Sequence, residues 1–234
     1  MKDLLDVHMH TIASGHAYSS LREMITAGKA RGLQLMGISE HAPLMPGTCS
    51  DIYFCNFQII RPEAFGIQLL MGAELNIRDF TGKTDITPRI RSHIDYAIAS
   101  LHDVCIDPGT QEQNTAAVIG AMRDPLVKII GHPDNSFFPL DYEAVVQAAR
   151  ENHVLLEVNN SSYRPGGSRP NSRAIGRRML ELCKAQGVSV IMGSDAHIDL
   201  DAGNHEYSLS LLQEIDFPEE LVVNTSLEAF RSFL

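Results

Sequence analysis

Two histidines, His8 and His10, sit two residues apart in Asp6-Val7-His8-Met9-His10, where a short apolar stretch ends. In an extended chain residues i and i+2 project from one face, so both imidazoles can grip one ion from the same side. Neutral imidazole is the commonest metal ligand near neutral pH. Further metal-competent side chains recur along the chain at His16, His41, Glu74, His102, His132, Asp195 and His197. Taken singly, a histidine after a strand is more often hydrogen-bonded or solvated than a ligand, and a lone carboxylate usually caps or is solvated. Their collective placement is what carries weight.

That placement depends on the elements beneath. Apolar runs predict strands over residues 4–7, 33–38, 68–73, 93–101, 128–131, 154–158 and 188–192. Ser20-Leu21-Arg22-Glu23 has the spacing of a capping box and opens a helix over 21–31. Further helical patterns lie over 116–122, after Asp141, from Asn171 or Ser172 to Gly187, around 207–215 and from Leu227. Residues 42–65, rich in proline, read as a loop with at most short helical pieces, forming one wall of a site. Strands alternating with helices, with no linker or repeat, imply one α/β domain over 1–234 built on a mostly parallel sheet. His8/His10, His41, Glu74, His102, His132 and Asp195/His197 each fall just past a predicted strand end. If the strands close into a barrel, these ends share one mouth, where barrel enzymes place their chemistry. His93, His153 and His205 fall elsewhere and read as structural or exposed.

Bulk composition narrows the partners. The net charge of −10 opposes broad electrostatic binding to nucleic acid or anionic membranes. An anionic substrate then needs a local positive centre, which metal ions can supply. No apolar run is long enough to cross a bilayer. The N-terminus runs directly into the His pair, leaving no room for a signal peptide, so a cytoplasmic setting is expected. Cys49, Cys55, Cys105 and Cys183 form no C-x-x-C pair and are read as reduced, packing thiols.

His8-Met9-His10, His16, Ser39-Glu40-His41, Glu74, His102, His132-Pro133 and Asp195-Ala196-His197 resemble, in order, the motifs of the PHP (polymerase and histidinol phosphatase) family. The flanking pieces His16-Ala17-Tyr18-Ser19, Glu157-Val158-Asn159-Asn160-Ser161-Ser162 and Gly193-Ser194-Asp195 are similar to its YcdX-type branch. The resemblance implies a distorted (β/α)7 TIM-like barrel with a cluster of up to three divalent metals, most often zinc, with manganese or iron in some members. It implies one metal on His8, His10, Glu74 and Asp195. Glu74 would bridge to a second, held also by His102 and His132, and His16, His41 and His197 would hold a third. A carboxylate has two oxygens and can bridge as an imidazole cannot. A water between two metals can have its pKa lowered to about 7 and act as a nucleophile at neutral pH. The expected activity is therefore hydrolysis of a small phosphorylated metabolite by a metal-bound hydroxide, with Asp195, Glu74 and His197 catalytic.

Substrate contacts are expected from Asn159 and Ser161 after the sixth strand, and from Arg164 and Arg169 in the following Pro/Gly-rich loop, since arginine binds phosphate through paired hydrogen bonds. The alternative for each arginine is solvation or pairing with the acidic surface. Asp134 stands where a glycine is usual in the YcdX-type pattern, and the stretches 42–65 and 107–114 also depart from it, so substrate identity does not carry over. Three other readings stay open: a phosphodiesterase or nuclease, an amidohydrolase, and a non-catalytic metal module. An amidohydrolase bridges its metals with a lysine on the fourth strand, where this chain has His102. A homo-oligomer is possible.

Overall fold

The computed structural model describes residues 1–234. Seven strands, β1 (Leu5–Asp6), β2 (Leu35–His41), β3 (Gln68–Asn76), β4 (Ala97–Ser100), β5 (Val127–Ile130), β6 (Leu155–Asn159) and β7 (Val190–Gly193), lie side by side in chain order. Every neighbouring pair is parallel. The helices are α1 (Leu21–Ala30), α2 (Asp51–Cys55), α3 (Pro88–Arg91), α4 (Gln111–Ala121), α5 (Tyr142–Asn152), α6 (Ser172–Gln186), α7 (Glu206–Glu214) and α8 (Leu227–Arg231). The fold is the expected distorted (β/α)7 barrel.

Its closure is made by a side chain. β1 and β7 are the sheet's edges, and Asn224 fills the seam between them. Its Oδ1 accepts from Met192 N at 2.7 Å, while Nδ2 donates to Met192 O and Leu5 O, both at 2.9 Å. Toward the mouth the contact continues through Asp195 N to His8 O and His10 N to Ala196 O, each 2.9 Å.

The interior is layered. Leu5, Leu35, Ile98, Ile129, Leu155 and Ile191 form an apolar floor. Above it the Tyr96 ring crosses the barrel, its hydroxyl donating to Val7 O at 2.5 Å. Glycine is required opposite: a Cβ on Gly37 would lie 2.3 Å from the Tyr96 hydroxyl and one on Gly72 2.5 Å from its ring. Two residues further along these strands the same faces carry Ser39 and Glu74, and His41 pairs in register with Glu74. The inward stripe thus turns from apolar to polar toward the C-terminal ends. On β1 the alternation slips by one. Leu5 and Val7 pack inside, Met9 packs in the outer core, and His8 and His10 again face inward. Asp6 secures this kink by accepting from His8 N at 3.2 Å.

Some boundaries differ from expectation. The fourth strand starts at Ala97, not residue 93, because Thr87 caps a helical turn with Pro88 at its first position. His93 lies in the turn that follows, half-buried, with Nδ1 2.8 Å from Arg89 O. β2 and β3 run further, to His41 and Asn76, so these polar residues lie inside the ladder. Thr110 forms a capping box with Gln113, which starts α4 earlier than its apolar pattern suggests. Residues 42–65 hold only α2 and short 3-10 turns.

His205 fastens the start of the chain to the end of the barrel. It is buried, with Nδ1 2.7 Å from Asp3 Oδ2 and Nε2 3.6 Å from Asp6 Oδ2. Burial would lower its pKa, but Asp6 and Asp3 outweigh that and push it up to about 10. A folded pKa above the unfolded value means the stabilisation is complete below about pH 6.5 and is lost as pH rises toward about 10. His205→Gln should cost about 3 kcal/mol at neutral pH, as expected for breaking a buried pair. Thermal melts between pH 6 and 10 should show the parent protein losing stability more steeply than the variant; parallel slopes would refute this role.

Candidate metal centre

The nine metal-competent residues read from the sequence lie around the C-terminal mouth of the barrel. His8, His10, His41, Glu74, His132 and Asp195 are buried, His102 and His197 partly so, and His16 exposed at the edge. The site therefore has a closed floor and an open side marked by His16, His102 and His197. A surface groove along Ile52, Tyr53, Phe57 and Ile60 contains none of them.

The donor atoms converge on Glu74. Its Oε2 lies 3.4 Å from both His8 Nε2 and His10 Nε2 and 2.9 Å from His41 Nδ1. Its Oε1 lies 3.2 Å from His102 Nε2 and 3.1 Å from His132 Nε2. Asp195 Oδ1 completes the first set, 3.6 Å from His8 Nε2 and 3.5 Å from His10 Nε2. Ligands about 2.1 Å from a tetrahedral ion are separated by about 3.4 Å, so this quartet has the edge lengths of a zinc-type site. His8 Nε2, His10 Nε2, His41 Nδ1 and Glu74 Oε2 are buried without a hydrogen-bond partner. Buried polar atoms of native proteins are ordinarily paired, so these orphans fit a metal. Three overlapping groups of potential ligands occur: His8/His10/Glu74, His41/Glu74/His102 and His10/His41/His197. His41 thus stands between Glu74 and the outer histidines rather than with the outer set alone. His16 Nε2 lies 3.1 Å from His197 Nε2.

Supporting groups aim these rings. The Nδ1 atom of His8 meets Glu157 Oε1 at 2.6 Å, that of His102 meets Asn76 Oδ1 at 2.7 Å, and that of His197 meets Asp195 O at 3.0 Å. His10 Nδ1 is 3.3 Å from Ser14 Oγ, which donates to Glu40 at 2.6 Å. Each contact occupies Nδ1 and turns Nε2 inward, the usual way a metal-binding imidazole is oriented. Glu157 serves two ligands, because its Oε2 also accepts from His132 N at 2.6 Å. Two of the nine residues sit in left-handed backbone, His132 at φ 29° and Asp195 at φ 54°. Such strain in non-glycine residues persists where surrounding contacts over-determine it.

Electrostatics favours the ligand-competent forms of Glu74, Asp195, His10 and His132. Burial would raise Glu74 and Asp195, but the surrounding histidines, and Arg169 for Asp195, hold both well below the carboxylate range. Burial lowers His10 and brings His132 to about 4, keeping both neutral. His8 goes the other way: burial lowers it, yet Glu157, Glu74 and Asp195 together raise it.

The residues expected to meet substrate separate. Arg169 Nη1 lies 3.1 Å from Asp195 Oδ2, 3.2 Å from Ser162 Oγ and 3.4 Å from Asn159 Oδ1. Asn159 Nδ2 donates to Asp195 Oδ2 at 3.2 Å. Arg164 is exposed and pairs with Asp201 at 2.8 Å. Ser161 is half-buried, and its carbonyl accepts from Arg164 N. Neither hydrogen-bonds to any of the nine. Glu157, Asn76, Glu40 and Ser14 had no role assigned from sequence. Their signal was present: Glu157 and Asn159, like Glu74 and Asn76, are polar residues two apart inside apolar strands, and a buried carboxylate needs partners.

A seven-stranded parallel barrel with a histidine–carboxylate cluster at its mouth defines a metal-dependent hydrolase. The chain belongs to the PHP domain family, whose model matches residues 6–162. It is 44% identical over 230 residues to a "Probable phosphatase" of Caldicellulosiruptor saccharolyticus, covering 98% of this chain and 95% of that one. It is 43% identical over 234 residues to another of Clostridium acetobutylicum, covering 100% and 95%. Among solved structures it is similar to histidinol phosphate phosphatase of Lactococcus lactis, complexed with zinc, L-histidinol and phosphate. The TM-score is 0.64 at 18% identity, over 92% of this chain and 95% of that one.

Glu157→Gln should fold but weaken metal binding about 10- to 100-fold, the usual cost of removing a ligand's orienting partner. Chelator competition followed by metal analysis would read this directly, and unchanged affinity would remove Glu157 from the site.

Proposed function

We propose that the protein is a phosphatase of the YcdX-type branch that hydrolyses a small phosphorylated metabolite at a site for three divalent ions, zinc foremost, with manganese or iron as alternatives. The observation that carries this reading is the His8/His10/Glu74/Asp195 quartet, spaced as ligands of one ion, in which His8 Nε2, His10 Nε2 and Glu74 Oε2 are buried without a hydrogen-bond partner. In it His8, His10, Glu74 and Asp195 hold the first ion, Glu74 reaches a second with His102 and His132, and His16, His41 and His197 hold the third. When bound, the ions supply an activated water and neutralise charge on the phosphoryl oxygens.

The chain's own groups do the rest. Water attacks phosphorus, the ester P–O bond breaks, and the alcohol departs with a proton, with no side chain esterified. Asp195 orients the attacking water, its own carboxylate kept in place by Asn159 and Arg169. Glu74, fixed among five imidazoles, would offer one carboxylate oxygen to each of the first two ions. His197 and His16, on the open side, would hold the third ion where the phosphoryl group enters. Arg169 adds the positive charge that recognises a phosphate monoester. The buried floor keeps bulk water away from the reacting face.

Stripped protein should release no p-nitrophenol from p-nitrophenyl phosphate, and reloading with zinc or manganese should restore release, with the bis-ester much slower. Glu74→Ala and His197→Ala should abolish turnover. Arg169→Ala should lower kcat/KM about 10- to 100-fold, the worth of hydrogen bonds to a charged group. A faster bis-ester reaction would make the protein a phosphodiesterase instead. Metal-replete protein inert to both esters would end the phosphoesterase reading.

A further inference from the structure

Asp134 follows the ligand-bearing His132-Pro133 and is fully buried. Its main-chain carbonyl accepts from Ser172 Oγ at 2.9 Å. Its Oδ1 lies 3.3 Å from Ser162 Oγ, and its Oδ2 has no hydrogen-bond partner. Ser162 is buried too, with its amide donating to Asn159 Oδ1 at 2.9 Å. Its hydroxyl lies 3.2 Å from Arg169 Nη1.

The direction of this chain follows from donor chemistry. A guanidinium only donates, so Ser162 Oγ accepts from Arg169 and keeps its one proton for an acceptor. Two acceptors lie at 3.3 Å, Asp134 Oδ1 and Asn159 Oδ1. Asp134 Oδ1 is the freer of the two, because Asn159 Oδ1 is already approached by Ser162 N and Arg169 Nη1. The relay therefore runs from Arg169 through Ser162 to Asp134.

Arg169 needs such an anchor. It projects from a loop containing Pro165, Gly166, Gly167 and Pro170, and a long side chain loses considerable rotamer entropy when fixed. All its hydrogen bonds run through Nη1, to Asp195, Ser162 and Asn159. Its Nη2 and Nε make no hydrogen bond within the protein.

We infer that Asp134, acting through Ser162, is a positioning residue that holds Arg169 with its free N–H groups turned to an oxyanion at the metal centre, an inference that rests on the phosphate-ester reading. A purely structural link would hold the loop without affecting anion affinity through Arg169.

The test uses the full-length, metal-loaded protein and inorganic phosphate as ligand, titrated calorimetrically, beside metal analysis and p-nitrophenyl phosphate kinetics. Ser162→Ala removes one oxygen and should weaken phosphate binding about tenfold, the worth of one charge-assisted hydrogen bond. KM should rise while kcat and metal content stay near those of the parent. Asp134→Asn, whose amide oxygen can still accept from Ser162, should show a smaller loss in the same direction. In an Arg169→Ala background, Ser162→Ala should change phosphate affinity by less than about twofold, because coupled residues are not additive. Phosphate affinity of Ser162→Ala equal to that of the parent would overturn the inference, as would the same loss in both backgrounds or a loss explained by missing metal. If Asp134→Asn fails to fold, Ser162→Ala and the double variant decide alone. A parent protein that binds phosphate yet hydrolyses no ester would refute the phosphatase reading while leaving the positioning result to stand or fall by the binding data.

Discussion

The structure depends on keeping one fully buried carboxylate, Glu74, ionised at the top of a barrel. Removing such a group from water costs several kcal/mol even after relaxation, and only close, well-directed partners return it. Glu74 has five imidazole nitrogens between 2.9 and 3.4 Å, drawn from β2 and from the ends of β1, β4 and β5. No local segment could supply them. The barrel is the device that brings residues far apart in the chain to one point, and the glycines at Gly37 and Gly72, which admit the Tyr96 ring below, let the strands approach closely enough to do so.

The same constraint spreads outward. Each imidazole must present one particular nitrogen, so its other nitrogen needs its own partner, and those partners need theirs. Asn76 is fixed by Asp85, which accepts from both its Nδ2 at 2.7 Å and its main-chain N at 2.8 Å. Glu40 is fixed by Thr11 and Ser14. Asp6 holds the backbone of His8 and Ser194, on the two sides of the seam, and is in turn paired with His205. A stability element far from the chemistry in sequence is thereby joined to the geometry of the ligands, and the left-handed backbone of His132 and Asp195 is tolerated because this shell leaves it no alternative.

How much of this was legible in the sequence follows from the range of the interactions. The strand–helix alternation and the nine metal-competent residues were readable because local patterns encode them: apolar runs, capping boxes, and a polar residue where each run stops. The early start of α4 was missed because Thr110 and Gln113, not an apolar stripe, nucleate it. The slip at Val7–His8 was invisible because a side chain, Asp6, makes it. The paired roles of Glu157 and the contrast between Arg164 and Arg169 depend on contacts across the barrel. Two arginines five residues apart in one loop look equivalent in sequence. One is taken by Asp201 at the surface, and the other is drawn in by Asp195, Ser162 and Asn159.

Charge explains why the metal and the substrate reading stand together. In a chain of net charge −10, the buried floor sets Glu74, Asp195 and Glu157 against the guanidinium of Arg169 and the imidazole of His8, whose pKa those carboxylates raise. With Glu74 and Asp195 held ionised and His10 and His132 held neutral, that floor repels a phosphate dianion. Divalent ions reverse the sign, because a bound cation is the largest local charge in such a site. The carboxylates that make the site hostile to phosphate are therefore the ones that recruit the charge making it hospitable. On the proposed reading, Arg169 adds selectivity to that field and does not replace it.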